Sequence, residues 1–150
     1  MSKNDSELLG ISLADTLVAM KRYLLMSFEQ NHSAITFEEW MNLRPLLDQA
    51  LTQRDLAFYL GKDKTTVSRL LDDWEKRKLV RRVPHKTDGR TKLIEMTPTA
   101  RRIHQDLAGL VGKADLKFCS LLNKKERDLL IQGTAKIRAA LLEPKKESSD

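Results

Sequence analysis

The sequence predicts a mainly helical fold of the α+β class, in which most of the chain forms helices and one short segment forms a β-hairpin. Apolar residues recur at helical spacing through much of the 150 residues, and two short stretches of β-forming residues flank a turn-forming segment. A composition of 41% hydrophobic and 32% charged residues is typical of a folded chain. Because this length suits one hydrophobic core, we expect a single domain over residues 1–150.

The first predicted helix lies in a helical region over residues 8–35 and is apolar on two faces. One stripe contains Leu13, Leu17, Met20, Leu24 and Phe28, and a second contains Ala14, Val18 and Leu25. A helix with so wide an apolar surface suits packing against its own domain on one side and against a partner on the other.

Capping residues mark where other helices begin. Thr36 and Glu39 have the spacing of a capping box, and Pro45 bends or ends the helix that they begin. Later in the chain, Thr97 before Pro98 predicts the start of a long helix, and Asn123 with Glu126 predicts a last helix that runs to about Leu142. Residues 143–150 are charged and rich in serine, which predicts a disordered tail.

Between these helices, two short helices meet at a tight turn. Leu51 to Leu60 is predicted to be helical, with Thr52 and Asp55 as a second capping box, and Gly61 offers the left-handed backbone that commonly closes a helix. The next helix is capped by Asp63, and its inward positions are Val67, Leu70, Leu71 and Trp74. We expect Trp74 and the earlier Trp40 to lie in the core.

A β-hairpin with a basic tip follows this pair of helices. Its predicted strands are Leu79 to Val83 and Thr91 to Met96. From Leu51 to Arg102 the chain has 14 Lys and Arg against 7 Asp and Glu, a net charge of +7, whereas the rest has 13 against 14, a net charge of −1. So concentrated a basic region predicts a polyanionic partner, because each phosphate that is neutralised releases condensed counterions.

Helix, tight turn, helix and hairpin follow one another in the order of a winged helix-turn-helix lobe, whose second helix enters the DNA major groove. With the apolar positions of that helix buried, the side chains left on its outer, N-terminal half are Lys64, Thr65, Thr66, Ser68 and Arg69. They offer donors and acceptors for base edges and phosphates. The hydroxyl residues have a second interpretation, in which they serve only as local helix-start groups.

The hairpin supplies the second set of candidate contacts. Long cations on a slim element can follow the DNA backbone or enter a minor groove. The predicted wing contacts are Arg82, Lys86, Asp88, Arg90 and Lys92, and we expect further phosphate contacts from Thr52 and Gln53. Since a carboxylate is unfavourable beside phosphates, we interpret Asp88 as the residue that orients Arg90; the alternative is that Asp88 only forms a turn before Gly89.

The stretch from Leu51 to Ala100 resembles the DNA-binding core of bacterial MarR-type transcriptional regulators, including the SlyA-like branch. The matching positions are Leu51 with Thr52, Leu56 with Ala57, Thr66 to Arg69, Leu79 to Arg82, Asp88 with Arg90, and Met96 with Thr97. Lys78 departs from the family pattern, since a helix-ending glycine is usual at its position, and Gly89 stands where the family often has an arginine.

The resemblance implies a homodimer in which residues 8–35 and 98–142 form a helical dimerisation region and residues 36–97 form the winged lobe. Such a protein is expected to be a repressor that reads a pseudo-palindromic operator and is released by a small aromatic or phenolic ligand, with no assignable ligand residues. The alternative is a regulator of low sequence specificity that competes with nucleoid proteins. Dimerisation is also expected on physical grounds, because two lobes reach successive major grooves only when a rigid dimer holds them.

Other classes of protein are not supported by the sequence. It contains no Gly-rich phosphate loop, metalloprotease motif or nucleophile elbow, so we do not expect an enzyme, and its scattered histidines predict neither a metal site nor another cofactor. The single cysteine, Cys119, cannot form an internal disulfide. The polar N-terminus and the absence of a long apolar run predict a cytoplasmic protein without a membrane span.

Overall fold

The computed structural model describes residues 8–85 and 90–142. The predictions for Lys86, Asp88 and the tail at 143–150 therefore lie outside the described residues. The chain divides into two compact units, Met1–Val111 and Gly112–Asp150, and each is described by itself.

The fold is mostly helical with one small antiparallel sheet, as the sequence predicts. The first unit contains α1 (Leu9–Gln30), α2 (Phe37–Leu43), a 3-10 helix (Arg44–Leu46), β1 (Leu51–Thr52), α3 (Gln53–Leu60), α4 (Lys64–Lys76), β2 (Val80–Pro84) and β3 (Lys92–Met96). Helix α5 (Pro98–Cys119) begins in the first unit and ends in the second, which also contains α6 (Lys124–Leu142).

The predicted helix starts are confirmed where the capping groups are local. The Thr36 hydroxyl accepts a hydrogen bond from the Glu39 backbone N–H at 3.1 Å, and the Glu39 carboxylate accepts one from the Thr36 N–H at 2.9 Å. The same reciprocal pair joins Asn123 and Glu126 at the start of α6, at 3.0 and 2.8 Å. Each pair binds backbone N–H groups that have no partner within the helix.

The predicted start of α3 is wrong, whereas the ends of the predicted hairpin strands differ from the structure by at most one residue. Leu51 and Thr52 form the short strand β1 and not the first residues of α3, so the hairpin becomes a three-stranded sheet in the order β1-β3-β2. The strand forms because Leu51 pairs with Ile94 and Thr52 with Leu93, which are distant in sequence. At the start of α3 the Thr52 hydroxyl accepts from the Asp55 N–H at 3.1 Å and donates to the Asp55 carboxylate at 2.7 Å.

The core of the first unit joins the helices to the sheet. Its most completely buried side chains are Trp74, Leu43, Leu46, Leu56, Leu71, Ile94 and Val67. Both tryptophans are buried, as predicted. The Trp40 indole N–H donates to the His104 carbonyl at 3.0 Å, and the buried His104 ring stacks on Trp40 with 4.4 Å between centroids. These contacts attach α2 to α5.

The apolar stripes predicted for helix α1 are buried only toward its C-terminal end. Leu24 and Phe28 are buried, whereas Leu17 and Val18 are exposed. In the second unit, α6 also has exposed apolar side chains, namely Leu129, Leu130, Ile131, Ile137 and Leu141. Apolar surface of this kind indicates an interaction surface when it is contiguous.

Candidate nucleic-acid interface

The turn between α3 and α4 fixes the position of the candidate recognition helix. Gly61 ends α3 with φ 60°, a left-handed conformation that glycine adopts without steric cost. Asp63 caps α4 by accepting a hydrogen bond from the Thr66 N–H at 2.9 Å. The Gln53 amide donates to the Lys64 carbonyl at 3.3 Å and so connects the two helices at the turn.

The N-terminal half of α4, residues 64–69, exposes three of the predicted DNA contacts. Lys64, Thr65 and Arg69 are exposed, while Val67 on the opposite face is buried. Within the described chain, the Lys64 and Arg69 side chains form no ion pair. Two cations and a hydroxyl are therefore available to base edges or phosphates.

Thr66 has a structural role that the sequence offered as the alternative interpretation. Its hydroxyl donates to the Asp63 carboxylate at 2.6 Å, beside the capping bond of its own backbone N–H. These hydrogen bonds from Thr66 lower the pKa of the Asp63 carboxyl below its ordinary value. Thr66 and Ser68 are only half-exposed, and the Thr66 hydroxyl retains acceptor capacity alone.

The hairpin places two predicted cations at the surface. Arg90 and Lys92 are exposed, at the end of the turn and at the start of β3. Strands β2 and β3 pair over five residues, from Val80 with Met96 to Pro84 with Lys92. Whether Asp88 orients Arg90 stays a prediction.

Arg82 is in a different environment from the other predicted wing contacts. Its guanidinium binds the Asp72 carboxylate at 2.7 Å and also the Glu75 carboxylate, both on α4. Its side chain is only 23% exposed. The pKa of Arg82 is raised above its ordinary value. The hydrogen bond to Asp72 is the largest cause, and burial acts in the opposite direction. Arg82 thus joins β2 to the candidate recognition helix.

The family model described as the MarR family matches residues 35–91, which include α2, α3, α4 and β2. The match covers 57 of the chain's 150 residues. No curated protein sequence is similar enough to count as a match.

Solved structures of MarR-type regulators have the same fold. The complex of Staphylococcus aureus MepR with DNA is 25% identical, with a TM-score of 0.70 over 89% of this chain and 98% of that chain. The transcriptional regulator PA3341 is 29% identical, with a TM-score of 0.74 over the same shares. The repressor CouR, bound to a 23-mer DNA duplex, is 24% identical, with a TM-score of 0.76 over 89% of this chain and 94% of that chain, and this likeness shows the fold. None of the three is named as an enzyme.

A second cluster of charged side chains was not predicted from the sequence. The Arg77 guanidinium, at the end of α4, binds the Glu39 carboxylate of α2, the Asp73 carboxylate at 3.0 Å and the Ala34 carbonyl at 3.2 Å. Burial alone would raise the pKa of Glu39, but hydrogen bonds from Arg77 and from the Thr36 backbone lower it. No local signal in the sequence connects Arg77 to Glu39, 38 residues earlier.

Metal and membrane sites are not found in the parts of the chain that the structure describes. Across residues 8–85 and 90–142, no three His, Cys, Asp or Glu side chains are grouped so that they could hold a metal ion. In those same ranges, no helix is long and apolar enough to cross a membrane.

Proposed function

We propose that this protein is a sequence-specific DNA-binding transcriptional regulator that acts as a homodimeric repressor on a pseudo-palindromic operator. The observation that carries the proposal is the N-terminal half of α4, where Lys64, Thr65 and Arg69 are exposed directly above the buried Val67. A helix exposed in this way offers side chains to the major groove while its opposite face stays in the core. The protein acts in the cytoplasm.

The remaining contacts surround this helix. Arg90 and Lys92 reach the minor groove from the wing, together with Lys86 and the orienting Asp88, while Thr65, Thr66 and Ser68 offer hydroxyl groups to bases and phosphates. Thr52 and Gln53 lie at the start of α3, where their side chains already bind Asp55 and the Lys64 carbonyl. They contact phosphates through their remaining donors and acceptors.

The homodimer forms through the apolar side chains that the chain leaves exposed. Leu17 and Val18 of α1 and Leu129 and Ile131 of α6 supply surface for a second copy. The two lobes then read half-sites whose centres lie about 10 base pairs apart, one helical turn of DNA.

A small aromatic ligand releases the operator by stabilising a dimer whose lobes do not match successive grooves. The structure of BpsR, a protein regulated by 6-hydroxynicotinic acid, has the same fold as this chain. A cavity of about 280 Å³ at the end of α1 has apolar walls from Leu25, Phe28, Ile35 and Phe37. Ser33 also lines it, and its hydroxyl is buried without a hydrogen-bond partner in the described part of the chain. This volume suits a one-ring molecule.

The test is binding of the purified protein to the DNA upstream of its own gene, measured against scrambled competitor DNA at one salt concentration. We expect a specific complex that salicylate weakens. A complex that ignores salicylate would contradict the ligand part alone. Equal affinity for every sequence would contradict sequence-specific repression and favour the low-specificity alternative. Sedimentation over a dilution series tests the dimer, and a stable monomer at micromolar concentration would contradict it.

A further inference from the structure

We propose that Arg82 is a positioning residue for DNA binding and not a phosphate contact: it holds the wing in place relative to the recognition helix. The inference rests on the proposed function, because it assigns a role within the same DNA-binding surface. It also replaces the role predicted for Arg82 from the sequence.

The geometry of the Arg82 side chain carries this inference. Arg82 Nη2 lies 2.7 Å from Asp72 Oδ1, and Nη1 bonds Glu75 Oε2. Asp72 and Glu75 are three residues apart on α4, so they lie on the same side of the helix. Each end of the planar guanidinium has its own carboxylate, a fork arrangement that fixes direction as well as charge.

The charge balance opposes a role in phosphate neutralisation. One guanidinium faces two carboxylates, so the group formed by Arg82, Asp72 and Glu75 has a net charge of −1 at neutral pH. If Arg82 bound a DNA phosphate in place of its present partners, the carboxylates of Asp72 and Glu75 would be left without a compensating charge near the DNA. Its limited exposure of 23% also keeps the guanidinium against the protein.

The position of Arg82 in β2 explains why this contact orients the wing. Arg82 is the middle residue of β2, and its partner across the hairpin is Ile94, which is buried in the core. A turn at Lys78 leads from the end of α4 into β2. At this end of the strand, the backbone connects the wing to the recognition helix. The bonds to Asp72 and Glu75 attach the strand to α4 a second time, beyond that turn.

Arg81 is a matched control one residue away. Its guanidinium bonds Glu95 Oε2 at 3.0 and 2.8 Å, and this contact lies within the hairpin, between β2 and β3. The Arg81 side chain is 61% exposed. Both arginines have the same charge and lie on the same strand, but only Arg82 connects that strand to α4 among the described contacts.

The first experiment compares Arg82→Gln and Arg81→Gln in the full-length protein. Operator affinity is measured over a series of salt concentrations, with thermal unfolding measured in parallel. We expect Arg82→Gln to weaken binding by about tenfold, comparable to the loss of one charge-assisted contact, with an unchanged salt slope. If the slope of log affinity against log salt concentration became shallower by about 0.9 for each lobe, Arg82 would be neutralising a phosphate, and the proposal would be overturned. A loss of the same size from Arg81→Gln would also overturn it.

A second variant gives opposite predictions for the two roles. The double substitution Asp72→Asn with Glu75→Gln removes the partners of Arg82 and leaves its charge. If Arg82 positions the wing, this variant weakens operator binding, and adding Arg82→Gln weakens it little further. If Arg82 contacts a phosphate, removing two nearby negative charges tightens binding, and that result overturns the proposal.

The same variants separate this inference from the proposed function. Thermal unfolding needs no DNA, and there the substitutions at Asp72 and Glu75 should be non-additive with Arg82→Gln. Non-additive unfolding in a protein without operator preference would support the contact between strand and helix and contradict the proposed function alone. Additive unfolding would overturn the inference, whatever the DNA result.

Discussion

The two halves of α4 use their charged side chains in opposite ways. In residues 64–69, Lys64 and Arg69 are exposed and form no ion pair within the described chain. In residues 70–76, Asp72, Asp73 and Glu75 are bound by Arg82 and Arg77. A single helix of 13 residues therefore presents cations at one half and carries ion pairs to other elements at the other half.

This difference suggests that one half of α4 binds DNA and that the other half sets the orientation of the helix in the lobe. Carboxylates near DNA are unfavourable unless their charge is compensated, and here Arg82 of β2 and Arg77 at the end of α4 compensate it. Arg82 also attaches α4 to β2, and Arg77 attaches it to Glu39 of α2. Substitutions of the exposed Lys64 and Arg69 in the first half should change affinity for DNA and leave stability nearly unchanged. Substitutions in the second half should change stability and orientation.

The largest effect is expected from Arg69→Ala. Loss of a base contact costs about 1 to 3 kcal/mol for each lobe, so a dimer should lose operator affinity by about thirtyfold or more, while non-specific binding changes much less. Fluorescence anisotropy with operator and scrambled duplexes measures both. The matched control is Lys76→Ala, at the other end of α4, which should leave the preference for operator intact. A uniform loss on all sequences from Arg69→Ala would contradict base recognition.

Glu39→Gln should give the second-largest effect, and it acts on stability. The Glu39 side chain is only 15% exposed and accepts charge-assisted bonds from Arg77, so its loss should cost about 1.5 to 3 kcal/mol in the free energy of unfolding. Urea denaturation measures this change. The matched control is Glu38→Gln, because exposed Glu38 contacts Lys21 and Lys62 only at 3.6 Å and should contribute under about 1 kcal/mol.

The contact also predicts a pH dependence. Since the pKa of Glu39 is lower in the folded state than its ordinary value of 4.5, its contribution is fully present above that value and is lost as pH falls through the folded pKa. Glu39→Gln should therefore reduce the loss of stability in this acidic range. An unchanged acid profile, or equal effects from Glu38→Gln and Glu39→Gln, would contradict a structural role for the contact.

A smaller effect is expected from Asp63→Ala at the start of α4. The substitution removes the acceptor for the Thr66 N–H and hydroxyl, and the melting temperature should fall by about 3 °C. Asp63→Ser, which keeps a capping oxygen, should restore most of this loss. If both variants melt at the wild-type temperature, the cap does not stabilise α4.

The smallest effect is expected from Lys78→Gly, and it is a gain. Lys78 has φ 58° at the end of α4, a left-handed conformation in which glycine has no steric penalty. Thermal unfolding should show a stabilisation of at most about 1 kcal/mol, because glycine also has more freedom in the unfolded chain. Operator affinity should not change, since the proposed DNA contacts lie in the other half of α4. A clear loss of affinity would show that the Lys78 side chain contacts DNA.

Predictions from the sequence succeeded where the signal was local. The start of α2 at Thr36 and the start of α4 at Asp63 depend on hydrogen bonds over three residues, which their spacing shows directly. The buried face of α4 follows from helical periodicity at Val67, Leu71 and Trp74. The exposed candidates Lys64 and Arg69 follow by exclusion from that face.

The errors and omissions involve residues that are distant in sequence. Strand β1 exists because Leu51 pairs with Ile94, and no feature near Leu51 distinguishes it from the first residue of a helix. The Arg77 contact with Glu39 likewise spans 38 residues, so spacing along the chain could not indicate it. Arg82 looked like another exposed wing cation because the sequence does not show which carboxylates face it.

The helices and their capping residues could be predicted from the sequence because they depend on residues within a turn or two of each other, and the basic region and the resemblance to MarR-type regulators could be predicted because they depend on residue types at known positions along the chain. Which charged side chains are exposed and which form ion pairs between elements depends on contacts between residues that are distant in sequence. An arginine has the same charge in either role, but its energy depends on the carboxylates and solvent around it, and folding alone brings those groups together.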